Sequence, residues 1–373
     1  MKKALHVASV ASMIDQFNME NIEVLQELGY EVDVAANFEF GSTSSKERVE
    51  AFKKELVDKN ISIFNILFNR NIYKFSNIRK YKELKKIIEK NKYEIIHCHS
   101  PIGGVLTRLA AKKARNDGTK VIYTAHGFHF YKGASIINWM LFYPIEKFCA
   151  KYTDMIITIN HEDYNTAQKF KNTRIIYIPG IGVDTNKNVE ITREEKRKEL
   201  NLSNNEFVLL SVGELSKRKN HKVVIEALSK IENKSITYVI CGKGELDKYL
   251  EEKAKKLNVK LKLLGFRKDV DEIYRIADLF IFPSLQEGLP VALMEAMSHG
   301  LPVVCSKIRG NSDLIKNGEG GYLIDAREID GFAKAIDKIM NIKDLSMGNI
   351  NKKNIAKFDS RIVIKKMRKI YSE

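Results

Sequence analysis

The sequence predicts an α/β protein built of two doubly wound units, and three observations carry that expectation. A chain of 373 residues exceeds what one hydrophobic core ordinarily supports. Each half alternates short apolar runs with amphipathic stretches, the βαβ rhythm of a parallel sheet. A polar, highly charged segment follows Ile178-Pro179-Gly180-Ile181-Gly182 and separates the two rhythms.

In the first half the apolar run Ala4–Val10 reads as a buried strand. Lys2-Lys3 before it gives the look of a leader, but His6 interrupts the run and the following residues behave as part of a domain. Asn18–Leu28 has helical spacing, and Glu31–Ala36, Tyr93–His97, Thr119–Thr124 and Met155–Ile159 are the next strands. The second half begins again with strand Phe207–Val212 and helix Lys222–Lys230. It continues through Thr237–Cys241, Leu246–Leu257, Lys260–Leu264, Val270–Ala277, Leu279–Phe282 and Pro302–Cys305. The divisions expected are 1–184, a connection 185–205, a second domain 206–350, and a tail 351–373. That tail carries helical spacing at Phe358, Ile362, Ile364 and Met367 and is expected to pack back on the first domain.

Composition narrows the class. Hydrophobic content of 44% with 29% charged residues is globular, and no low-complexity tract is present. Cys98, Cys149, Cys241 and Cys305 form no CxxC pair and sit in apolar segments, as buried free thiols do in a reducing cytoplasm. Ser135–Tyr152 is the most apolar long stretch, but Asn138, Pro144, Glu146 and Lys147 break it, so it is expected to lie on a membrane and not to cross one. The net charge of +16 calls for an anionic partner: nucleic acid, anionic lipid or a phosphorylated substrate. Seven basic residues between Arg79 and Lys92 accompany the stripe Ile78, Tyr81, Leu84 and Ile88, an amphipathic helix with a basic outer face. No zinc-finger, RNP-like or helix-turn-helix pattern supports nucleic acid.

The chemistry concentrates in Pro283–Gly300, where Glu287 and Glu295 stand eight positions apart around Gly288-Leu289-Pro290. The run Leu279–Phe282 reads as a strand and Ala292–His299 as a helix, with Pro290 near its first position, where a missing N–H is no loss. Free N–H groups and the dipole at such a helix start favour a diphosphate. Glu287 would then stand by the phosphates and sugar, and Glu295, about two turns inside, would reach ribose. Taken alone, two glutamates at this spacing are an ordinary solvated pair.

The order of the surrounding motifs gives them weight. Asp278-Leu-Phe-Ile-Phe-Pro-Ser284 leads into the two glutamates and Gly300-Leu-Pro-Val303. Val212-Gly213, Lys219, Ile178–Asp184, Cys241-Gly-Lys-Gly-Glu245 and Leu264-Gly-Phe266-Arg267 precede it. Over nearly its whole length the chain resembles the retaining GT-B glycosyltransferases of family 4, which have two Rossmann-like domains facing across a cleft. The resemblance implies an N-terminal acceptor domain and a C-terminal nucleotide-sugar domain. It implies transfer from a nucleotide-diphosphate sugar, UDP-linked, to a glycan or polyprenyl-linked saccharide, with no cofactor and no essential metal.

Site roles follow from the same resemblance. Lys219 matches the lysine that pairs with the diphosphate, although it also belongs to the basic run Lys217-Arg218-Lys219. The family carries arginine where this chain has Glu214, so Arg218 or Lys217 is left to supply the charge. Gly213, lacking a Cβ, would let backbone approach a phosphate. Phe266, Arg267 and Gly288–Val291 complete the donor set. His126, in Thr124-Ala-His-Gly-Phe-His129, matches a histidine placed near the transferred sugar, and Asn18, His99 and His129 are acceptor candidates. His97 and His99 alternate at a strand end and are expected on opposite faces, which argues against a shared metal. Asp269-Val-Asp271 imitates the metal motif of another transferase fold, but here it opens a helix, and Asp269 reads as its N-cap. Two other readings remain: a nucleotide-sugar 2-epimerase of the same fold, and a noncatalytic basic protein binding a membrane surface or nucleic acid. Cytoplasmic placement with contact at the inner face of the cell membrane fits the transferase reading.

Overall fold

The computed structural model describes residues 2–41, 44–69, 75–232, 235–341 and 346–373. It divides into two units, Met1–Ile181 with Ile362–Glu373, and Gly182–Arg361.

Among the described residues, the first unit holds seven parallel strands: β1 (Lys2–Val7), β2 (Tyr30–Ala36), β3 (Ser62–Asn65), β4 (Ile95–His99), β5 (Lys120–Ala125), β6 (Met155–Thr158) and β7 (Arg174–Tyr177). Their order is β3-β2-β1-β4-β5-β6-β7, so the direction of winding reverses between β1 and β4. In such sheets ligands bind beyond the carboxyl ends of the strands where the order reverses. Both faces are covered, as a parallel sheet requires. One core joins Ala4, Val32, Val34 and Ile122 to helices on its side, and the other joins Leu5, Val7, Ile96 and Tyr123 to the opposite layer.

The second unit repeats the plan with β8 (Phe207–Val212), β9 (Ile236–Cys241), β10 (Lys260–Gly265), β11 (Leu279–Phe282), β12 (Val303–Ser306) and β13 (Gly321–Ile324). The order β10-β9-β8-β11-β12-β13 reverses between β8 and β11. That reversal sets the loop after Val212 beside the loop after Phe282. The segment 185–205 contains the helix Arg193–Glu199, whose Arg197 is buried and bonded to the Ile276 carbonyl and to Asp278 of this unit.

Several local expectations change. Between the strand Ala4–Val10 and the helix Asn18–Leu28 read from the sequence lies a further helix, Ala11–Phe17, which buries Ala11, Ser12 and Ile14. Pro144, one of the residues that interrupt the apolar stretch, lies inside the helix Ile136–Ala150. The C-terminal helix runs Ser360–Ser372 and buries Val363, Met367, Ile370 and Tyr371 in the first unit's core, while Ile362 is exposed. Phe358 lies in a 3₁₀ turn before that helix, so the stripe starts later than the spacing suggested. No helix among the described residues is long and apolar enough to cross a membrane.

Candidate functional site

In the second unit, the strand reversal brings Lys219 and Glu287 together across 68 residues of sequence, with Lys219 Nζ donating to Glu287 Oε1 at 2.7 Å. Arg218 donates to the same oxygen at 2.9 Å and to the Gln286 carbonyl at 3.1 Å. Burial pushes the Lys219 ammonium below its ordinary pKa, and Glu287 offsets this only in part. Its Nζ also lies 4.5 Å from the centre of the Phe282 ring. Gly213, at φ +151°, lies under this lysine: a Cβ there would come within 3.1 Å of Lys219 Cε. The glycine therefore makes room for the lysine stem. Arg218 is the basic neighbour that reaches Glu287, while Lys217 and Glu214 are exposed.

Beyond Glu287, Pro290 takes the N-cap position at φ −80°, ψ 116°, one residue before the helix Val291–Ser298. The helix starts and ends one residue earlier than the sequence suggested. Glu295 is therefore its fifth residue, about one turn inside and not two. Tyr274 places its hydroxyl 3.0 Å from Glu295 Oε2, yet burial still raises the Glu295 carboxyl above its ordinary value. Leu289 is buried, and Gly288 and Val291 are partly covered. At the end of β10, Phe266 is exposed, and Arg267 turns to Asp269 at 2.5 Å and Glu199 at 3.3 Å.

Three partners here had no sequence signal. Tyr274 reads as one more apolar residue of a helix. Arg309 donates from Nε to the Glu287 carbonyl at 3.1 Å. Gly310, at φ +77°, lies so close to this loop that a Cβ would come within 2.3 Å of the Gly288 carbonyl oxygen.

Asp269 occupies the N-cap position of the helix Val270–Ile276 but makes no capping bond. Its carboxylate is held by Arg267 and by Lys196 at 2.6 Å, because these two cations outcompete a backbone N–H. Asp271 pairs with Lys187 at 2.9 Å and lies 3.2 Å from His299. Both carboxylates of the metal-like pattern are thus engaged by protein cations and histidine.

The first unit contributes a histidine cluster that corrects the sequence argument. Residues two apart on a strand share a face, so His97 and His99 are neighbours, with ring centres 4.2 Å apart. His6 stands opposite His97 in the β1–β4 register and joins them. One ring nitrogen from each of the three falls within 4.8 Å of the others, the spacing of a possible metal set. His97, however, commits both nitrogens to protein, Nδ1 to Tyr371 at 2.7 Å and Nε2 to Thr124 at 2.8 Å. Burial lowers His6 to about 3 and holds His97 and His99 well below the usual range, so all three are neutral at neutral pH.

His99 Nδ1 lies 3.2 Å from His126 Nε2, and burial lowers His126 to about 4. These two, Asn18, Phe17 and Thr124 line one small cavity of about 30 Å³. Asn18 donates to the Met13 carbonyl at 2.9 Å and so closes the helix before it. His129 is not brought to this cavity but packs against Phe142, ring centres 4.6 Å apart.

The family model described as glycosyl transferases group 1 matches residues 192–355, and the model described as glycosyl transferase 4-like matches residues 6–160. The putative glycosyltransferase EpsD of Bacillus subtilis (strain 168) is 35% identical over 382 residues, covering 100% of this chain and 96% of that protein. The UDP-Gal:alpha-D-GlcNAc-diphosphoundecaprenol alpha-1,3-galactosyltransferase of Escherichia coli is 37% identical over 308 residues, covering 77% of this chain and 79% of its own. Among solved structures, Anabaena Alr3699/HepE in complex with UDP and glucose matches with a TM-score of 0.78, at 19% identity and 100% of both chains.

Proposed function

The chain belongs to the group 1 glycosyltransferases of GT-B fold, and from that membership we propose that it moves a hexosyl or N-acetylhexosaminyl group from a UDP-linked donor to a lipid-linked saccharide, with retention, in surface polysaccharide or glycoconjugate synthesis. The observation that carries the reading is the sharing of one Glu287 oxygen by Lys219 and Arg218 beside the start of the helix Val291–Ser298. Two cations and a set of free backbone N–H groups converge where a departing diphosphate would need them. The E. coli relative, whose name specifies UDP-Gal and a diphosphoundecaprenol-linked acceptor, supports the donor and acceptor classes.

In this reaction the bond from the sugar's anomeric carbon to the diphosphate oxygen breaks and a bond to the acceptor oxygen forms on the same face. The acceptor proton passes to the leaving phosphate. Lys219 and Arg218 meet the charge that builds on that phosphate, with Arg218 in the role that Glu214 cannot fill. Glu287, released from its two cations by the diphosphate, orients the donor sugar. Glu295, held by Tyr274, accepts from ribose hydroxyls. His126 is neutral at working pH and hydrogen-bonds a hydroxyl of the transferred sugar. These events are expected in the cytoplasm, where nucleotide sugars are made.

Incubation of the purified protein with a panel of nucleotide sugars and a polyprenyl-diphosphate-linked GlcNAc acceptor tests the reading, with anomeric configuration read by NMR. An inverted product would overturn retention. An acceptor-independent change at the donor's C2 would establish the epimerase instead.

A further inference from the structure

We propose that the first unit docks on an anionic lipid leaflet through the groove between the helices Pro101–Ala110 and Ile136–Ala150, with the first turns of the second helix inserted. The groove has a volume of about 580 Å³ and is lined by Val105, Leu106 and Leu109 from one helix and Leu141, Ile145 and Phe148 from the other. Just before Leu141 on the second helix stand Ile136, Ile137 and Met140, which are 75%, 69% and 73% exposed, with Ile137 one turn before Leu141 on the same side of the helix. Positions i, i+1 and i+4 lie on one side of a helix, so these three form a single apolar edge. Scattered exposed apolar residues need no explanation, but an apolar groove continuous with such an edge marks an interaction surface.

Charge identifies the occupant. Residues 75–151 hold fifteen Lys and Arg against five Asp and Glu, a net of +10 out of the chain's +16. Lys82, Lys86, Lys112, Lys113, Lys132 and Lys147 are all exposed. The helix Ser76–Asn91, which carries part of this charge, reaches the groove through Asn77. A second copy presenting the same surface would be repelled, whereas anionic headgroups around an inserted apolar edge would be attracted. Beneath the groove, Arg108 and Glu146 are buried with Nη1 and Oε2 2.8 Å apart. Their alignment is not that of a hydrogen bond, so the attraction is coulombic, and it ties the two helices together without adding charge to the apolar edge.

The chain's one tryptophan reports on this surface from the core side of the same helix, where it packs against Phe130 and Tyr143. Trp139 lies on the same helix, between the exposed Ile137 and Met140, with its Nε1 bonded to the Tyr131 carbonyl at 3.2 Å. The full chain is mixed at low salt with vesicles of phosphatidylcholine and phosphatidylglycerol containing bromine-labelled acyl chains, and Trp139 fluorescence is followed. We expect quenching that fades as salt rises and is at least tenfold weaker with phosphatidylcholine alone. Ile137→Asp with Met140→Asp should abolish it, and Lys82→Gln, Lys85→Gln and Lys86→Gln together should weaken partitioning on the order of a hundredfold. Both variants should keep the parent melting temperature and the parent affinity for UDP. No quenching at low salt, quenching as strong on neutral vesicles, or full quenching in the aspartate variant would overturn the proposal. So would a concentration-dependent dimer that shields Trp139 in place of lipid. Transfer to a water-soluble acceptor should be the same in parent and variants, which separates failure of this docking from failure of the transferase reading.

Discussion

Glu287 and Glu295 come from one motif but occupy different environments, and their losses should differ in kind. Glu295→Ala removes a ribose contact made equally in ground and transition states, so it should raise donor KM with kcat nearly unchanged. Glu287→Ala should depress kcat itself, and full turnover at saturating donor would refute its role. Lys219→Ala should cost about 2–4 kcal/mol of barrier, read as kcat/KM in steady-state assays. Arg218→Ala should weaken kcat/KM for the donor roughly tenfold to a hundredfold, as loss of a charge-assisted bond does, and Glu214→Arg in that background should recover most of it. Failure of that rescue would separate Arg218 from the family's missing arginine. Turnover should also survive chelation of divalent ions, since Asp269 and Asp271 already face Arg267, Lys196, Lys187 and His299. Loss of the chemical step, measured in a single turnover, would contradict this. The paired glutamates were legible because motif order is a sequence property. Tyr274 and Arg309 were not, because their partners are fixed by folding: a backbone carbonyl in one case and a helix neighbour 21 residues away in the other.

The loop that carries Glu287 depends on a close backbone approach. Gly310 and Gly318 both have left-handed backbone, at φ +77° and +85°, but only Gly310 presses on a neighbour, the Gly288 carbonyl. Gly318→Ala should therefore cost only the left-handed term, about 1–2 kcal/mol. Gly310→Ala should lower the melting temperature further and weaken UDP binding as the Glu287–Leu289 loop shifts. Equal effects on UDP affinity from the two variants would show that the contact at Gly288 is unimportant. The strands were readable because buried parallel strands are continuous apolar runs, as in Leu279–Phe282. Helix limits were less so. Pro144 is tolerated within a helix against local preference, Ala11–Phe17 is helical without a side-chain cap, and the His97–His99 face was misjudged by one step of a two-residue period.

Taken as a whole, the protein carries its acid sensitivity in buried imidazoles. His6, His126 and His221 are lowered by burial to about 3, 4 and 3, and His97 and His99 are well below 6.5. Between those values and 6.5 the unfolded chain binds more protons than the folded one, so stability is full above pH 6.5 and is lost as pH falls toward 4 and 3. Each histidine adds a slope of about 1.4 kcal/mol per pH unit in that window. Denaturant midpoints should fall steeply from pH 6.5 to 4.5, and His221→Gln should flatten the decline without touching the first unit. A midpoint independent of pH over that range would refute the assignment. Two-domain organisation was legible from length and repeated rhythm, but the return of the final helix to the first core, with Tyr371 bonded to His97, depends on contacts 274 residues apart. That return reverses the usual order of biogenesis. On the ribosome the first unit cannot seal its core until Val363–Tyr371 have emerged, while Gly182–Arg361 is already complete, so the nascent chain waits with its amino-terminal half unfinished and needs protection there longest.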